Sequence, residues 1–143
     1  MNNISALTIV MVLIGLLVAV FVLIVILYKP SRQLKVCSKF KDGDKKNSVL
    51  EVNIENIGKA EEKIILPFLK YSAGFHKKKY QVSKEFVNCR YPVMLKPGEK
   101  MTCEIDIGHY RKLMEKEDFK PTHLTVLIND MVGMEFKSEE LDV

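Results

Sequence analysis

The chain has 143 residues, with 22 basic and 18 acidic side chains, a formal net charge of +4, three cysteines and no tryptophan. About a hundred residues remain outside one long apolar run, so one ordinary domain fits and two do not. The positive surplus lies in residues 29–46, which hold seven basic and two acidic side chains, whereas residues 47–143 hold 15 and 16. That balance excludes a nucleic-acid-binding domain, whose charge would spread over a face of the fold.

Residues 1–3 are a short tail. From Ile4 to Tyr28 no side chain is charged, and an apolar stretch longer than about 18 residues predicts a transmembrane helix. In lipid every backbone polar group needs an internal partner, so helix prevails over the strand preference of the many Val and Ile residues. At ~1.5 Å per residue the helix is about 37 Å long, more than a hydrocarbon core of about 30 Å, and tilt is expected. A cleaved signal peptide would have a shorter apolar region, a positive start and a small-residue cleavage site. MNNISALT has no Lys or Arg, and Ile26, Leu27 and Tyr28 are bulky, so the segment is expected to stay as an anchor. Gly15 and Ala19 form a small-xxx-small pair that would allow a weak homodimer through the helix.

Residues 29–46 read as a basic linker running into a first strand, with Leu34, Val36 and Ser38 alternating with polar neighbours. Lys29, Arg32, Lys35, Lys39, Lys41, Lys45 and Lys46 follow the helix directly. The positive-inside rule then places the C-terminal domain in the cytoplasm. The same residues are candidate contacts for anionic lipid, with a plain topology signal as the simpler account.

The domain, residues 47–143, reads as strands. Leu50, Val52 and Ile54 alternate with Glu51, Asn53 and Glu55, the pattern of a half-buried strand. EKIILPFLKYS is apolar but contains Pro67, which predicts an edge position or a bulge. Lys77–Val82 and Tyr91–Leu95 are short strands, and Lys96-Pro97-Gly98-Glu99 is a turn. Met101, Cys103, Ile105 and Ile107 alternate, as do Leu124, Val126 and Ile128. Asn129–Gly133 is a hairpin turn with Met134–Lys137 returning. Tyr110, Leu113 and Met114 give Tyr110–Asp118 helical spacing. Seven or eight short strands with regular turn signals suggest an all-β sandwich with one short helix.

Three blocks, VNIENIGKAEEKIIL, YPVMLKPGEKMTCEIDI and LTVLINDMVGMEFKS, resemble the immunoglobulin-like β-sandwich domains of small, mostly uncharacterised, membrane-anchored bacterial proteins. The resemblance covers about residues 48–138 and rests on structural turns. It implies a role in contacts or recognition without catalysis. The lack of tryptophan departs from antibody-type domains, which pack a core Trp on a disulfide.

No catalytic constellation, metal site or cofactor is expected. His76, His109 and His123 have no nucleophile motif beside them. Glu104, Asp106 and His109 lack metal-ligand spacing, and Asp42-Gly43-Asp44 reads as a turn. Three cysteines, Cys37, Cys89 and Cys103, fit reduced thiols, although Cys89 and Cys103 could pair in an oxidising compartment. His76, Lys77, Lys78 and Lys79 form a basic loop between Phe75 and Tyr80, a candidate headgroup contact against the blander account of a solvated loop. The expected function is a single-pass, membrane-anchored module for protein interaction or structural support. Its expected partners are the bilayer and a protein. The alternative is an accessory subunit of a larger membrane enzyme or transporter complex.

Overall fold

The computed structural model describes residues 3–28 and 31–143, with the side chains of Asn3 and Ile4 left aside. Lys29 and the Ile4 side chain, both named above, therefore lie outside the described residues. The chain divides after Pro30 into two compact units.

The first unit is helix α1, Asn3–Leu27. Its bonding extends one residue further through the Tyr28 N–H to the Ile24 carbonyl at 2.8 Å. An 18-residue stretch within Ser5–Leu27 reaches a mean hydropathy of 3.6, and its apolar side chains are exposed on all sides of the helix. It is long and apolar enough to span a membrane, a description that an N-terminal signal sequence would also meet. A Cβ added at Gly15 would meet nothing within 4 Å, and Ala19 lies one turn further along an exposed face.

The second unit, Ser31–Val143, is β-rich. Its elements are β1 (Leu34–Phe40), β2 (Val49–Asn56), β3 (Glu62–Ile64), β4 (Phe68–Ala73), β5 (His76–Gln81), β6 (Val93–Leu95), β7 (Lys100–Asp106), α2 (Gly108–Lys116), β8 (His123–Asn129), β9 (Glu135–Lys137) and β10 (Leu141–Asp142). They form three antiparallel sheets, ordered β1-β2-β7, β10-β8-β4-β5 with β9 also on β8, and β3-β6. Side chains two apart on a strand share a face. Leu34, Val36 and Phe40 of β1 therefore turn inward with Leu50, Val52 and Ile54 of β2 and Cys103 and Ile105 of β7. Leu69 and Tyr71 of β4 and Leu124, Val126 and Ile128 of β8 join them in one core cluster. Burying each such aliphatic side chain is worth about 1.5–3 kcal/mol.

Several expectations need correction. The described residues form ten strands, because EKIILPFLKYS is divided into β3 and β4 and β10, at two residues, is too short to show a period. Pro67 marks neither an edge nor a bulge. It separates β3 from β4, and β4 is internal, paired with β5 on one side and β8 on the other. A proline suits that crossing, since its carbonyl accepts from the Val82 N–H at 2.9 Å while no ladder bond needs its nitrogen. The short strand expected over Lys77–Val82 is present as β5, and the basic residues His76–Lys79, also read as a loop, belong to it instead. Gly74, at φ +61°, permits a two-residue turn with Phe75, so pairing resumes at once with Ala73 opposite His76. The helix begins two residues earlier than its spacing suggests. It buries Tyr110 and Met114, one turn apart.

Candidate functional site

The end of the β unit where the chain enters is held by its own small network. The Ile57 and Gly58 N–H groups both donate to the Gln33 carbonyl at 3.1 Å. Lys59 and Ala60 donate to the Ser31 carbonyl at 3.0 and 2.8 Å. This clasp needs glycine at 58, because a Cβ there would lie 2.8 Å from both the Gln33 nitrogen and the Ser31 oxygen. Asn56, fully buried, shapes the clasping loop. Its amide donates to the carbonyls of Ala60 (2.8 Å) and Leu95 (2.9 Å), and its side-chain oxygen accepts from Gly58 N–H at 3.0 Å.

Beside the clasp, Arg32 Nη1 lies 3.7 Å from Asp130 Oδ2. Asp130 is 2% exposed and Glu62, next to it, 1%. Asp130 Oδ1 accepts from the N–H groups of Val132 (2.9 Å) and Met134 (2.8 Å), which folds the β8–β9 turn around the carboxylate. Burial and the adjoining Asp130 carboxylate push the Glu62 carboxyl above the usual range, against the pull of Arg32. Burial also pushes Asp130 upward. The Met134 N–H, the adjoining Glu62 carboxyl and the Val132 and Gly133 N–H groups outweigh it, holding Asp130 below its usual value. Glu62 therefore keeps its proton longer and Asp130 loses its own earlier, the split expected of two adjoining carboxyls. Glu62 Oε1 and Asp130 Oδ2 have no hydrogen-bond partner among the described residues, so Arg32 supplies Oδ2 with charge rather than a hydrogen bond. With both carboxyls buried, the pair is placed to hold the entry segment.

The residues singled out from sequence are dispersed. Arg32 is the one at this network. Lys35 and Lys39 stand exposed on the outer face of β1, and Lys39 pairs with Glu51 at 3.3 Å. Lys41 pairs with Glu104 at 3.0 Å, which raises the lysine's pKa. The Lys45 and Lys46 carbonyls accept from the Arg111 guanidinium at 2.7 and 3.2 Å. At ~3.3 Å per residue, β1 carries Lys39–Lys46 about 20 Å from Leu34. Lys78 is paired with Glu117 and lies 5.1 Å from the Phe119 ring centroid. Lys79 pairs with Glu135 at 3.3 Å and lies 4.5 Å from the Phe68 ring centroid. His76 and Lys77 are exposed on the same edge strand. Lysine on an unpaired edge discourages strand addition.

The histidines do not converge. His109 stacks on Phe86 with ring centroids 4.8 Å apart, and His123 Nε2 lies 3.7 Å from Asp142 Oδ1. Among the described residues no group of three His, Cys, Asp or Glu side chains is placed to hold a metal ion. Cys89 and Cys103 form a disulfide, against the expectation of reduced thiols, because the Asn88–Glu104 backbone bond at 3.1 Å lays the Cys89 segment along β7. Cys37 is free and exposed. Glu62 and Asp130 do not stand out along the chain. A charged residue at an inward position of a strand, as Glu62 is between Glu61 and Lys63, is the available signal.

No family model and no curated protein matches the chain. Among solved structures, an ApaA protein from Bordetella pertussis is similar over 79% of this chain and 93% of its own, at 13% identity and a TM-score of 0.36. A structural-genomics target, SoR45, is similar over 78% of this chain and 84% of its own, at 10% identity and a TM-score of 0.38. Likenesses at these values carry no argument about this chain.

Proposed function

We propose that the chain is a single-pass membrane protein whose β unit is an immunoglobulin-like sandwich, serving protein contacts or structural support at the membrane without catalysis of its own. The observation that carries this is α1: 25 residues, uncharged and apolar on every side. A soluble protein rarely leaves an apolar surface of that extent in water. Retention rather than cleavage is supported by the uncharged start and the bulky Ile26-Leu27-Tyr28. The shared core of β1-β2-β7 and β4-β8 supports the sandwich.

The basic flank supports a cytoplasmic domain, whereas a disulfide belongs to oxidising compartments. The flank acts during insertion and the sulfurs pair afterwards, so we give the flank precedence. On that reading Cys89 and Cys103 are reduced in the cell and close on oxidation. The test is the intact mass and carbonate extraction of the protein from membranes. A product retaining residues 1–28 that resists extraction is expected, and a mature chain starting beyond Tyr28 would sink the proposal. Exposed Cys37 reports the side: labelling by an impermeant maleimide on intact cells would place the domain outside.

A further inference from the structure

We infer that the β8–β9 turn, Met131-Val132-Gly133-Met134, together with Met94, is a membrane-docking tip that rests the β unit on the same bilayer that holds α1. Among the described residues of the β unit, six large apolar side chains are exposed: Phe75, Met94, Met131, Val132, Met134 and Val143. Four of the six gather in one place. Lys63 stands opposite Met94 in the β3–β6 pair, and its carbonyl accepts from the Met131 N–H at 2.9 Å. Met131 and Val132 are 59% and 69% exposed. Asp130 holds the turn open through its bonds to Val132 and Met134, so the apolar side chains project instead of folding back.

The chain's own connectivity argues for lipid as the occupant. Arg32, paired with Asp130, lies five residues beyond Leu27, the last residue of α1. Five residues span at most about 18 Å. The clasp by residues 57–60 and the Arg32–Asp130 pair leave little slack beyond that. If α1 is the anchor, that reach keeps the tip available to the lipid surface however the two units are arranged, and Tyr28 is a residue type enriched at such surfaces. Charge agrees: Lys59, Lys63 and Lys96 are exposed around the tip, against Glu61 and Glu99. Basic side chains are attracted to an anionic surface. Unbranched methionines are adaptable enough to pack against acyl chains. Phe75, by contrast, lies at the other end of β4, about 20 Å away at ~3.3 Å per residue, and has no such tether.

This inference rests on α1 being a retained anchor. The chain has no tryptophan, so single substitutions V132W and F75W each give an unmixed fluorescence signal. Each full-length variant is reconstituted into phosphatidylcholine–phosphatidylglycerol vesicles with and without tail-brominated phosphatidylcholine. The vesicles are floated after a carbonate wash, and the strand signal in circular dichroism confirms folding. M131W replaces V132W if the latter does not fold. The expected result is flotation of both, with V132W blue-shifted and losing most of its emission to brominated lipid and F75W emitting as in water. Flotation with V132W unquenched overturns the docking tip while leaving the anchor standing. A blue-shifted but unquenched V132W means that protein covers the tip and also overturns it, as does equal quenching at both positions. Failure to float overturns the anchor and this inference together.

Discussion

The two ends of the β unit are chemically alike and mechanically different. Both expose apolar side chains beside lysines: Met131, Val132 and Met134 near Lys63 at one end, and Phe75 beside Lys77 at the other. Only the first is tied to the point where the chain enters, through Arg32 on Asp130 and the clasp on Ser31 and Gln33. At the far end, Lys78 is neutralised by Glu117. Local composition therefore does not separate the two ends. Their ties to the entering chain do, because only one end holds residues 31–33.

The sharpest way to break this comparison is to cut the tie itself. D130A removes the acceptor of two turn N–H groups and leaves Arg32 without its partner. Unfolding the full chain in detergent by denaturant should show a loss of about 3 kcal/mol. F75A at the far end should stay within about 0.5 kcal/mol. Equal losses would remove the distinction between the ends.

G58A comes next. Its Cβ would press on the Gln33 nitrogen and the Ser31 oxygen, both backbone atoms, so the clasp must open. A loss of about 1–3 kcal/mol is expected, with faster amide exchange at Lys59 and Ala60. Unchanged exchange would show that the clasp does not depend on glycine.

The smallest effect is on pH dependence. Glu62 titrates above the usual 4.5 in the folded chain, so the folded state binds the extra proton and stability falls as pH rises through the folded value. Asp130 titrates below 3.8, so its contribution is present above that value and is lost as pH falls through its folded pKa. E62Q keeps the size of the side chain without its charge. Its denaturation midpoint should fall less than that of the parent as pH rises above 4.5. A parallel fall in both would deny Glu62 the role. K78A removes the lysine that lowers Glu117, so it should alter the profile only below 4.5 and leave the fall above it unchanged.

Much of the fold is legible along the chain, for reasons visible in single residues. Leu50, Val52 and Ile54 alternate because a strand puts every second side chain on the core, and all three are buried. Tyr110 and Met114 fall one helical turn apart, and α2 buries both. The misses arise where pairing overrides local signals. His76–Lys79 resembles a loop because lysines are poor evidence of a strand, yet the Gly74-Phe75 turn lays them along β4. Pro67 suggests an edge because proline interrupts a ladder, yet it falls between two strands. The candidate site is the least legible part. Along the chain Arg32 is only one of seven basic residues, and Glu62 and Asp130 carry no motif that separates them from the other carboxylates.

The sequence by itself determined the helix. A segment without charges or polar periodicity carries its solvent preference in its composition, and no tertiary contact is needed to read it. It also determined the period of the main strands, which is local geometry. Only the tertiary structure decided which groups stand near the point where the chain enters the β unit. β1 carries Lys39–Lys46, close to the helix in sequence, a strand length away, while β8 returns Asp130 and its apolar turn to Arg32. Proximity in a β fold is set by long-range pairing, and no count along the chain contains it.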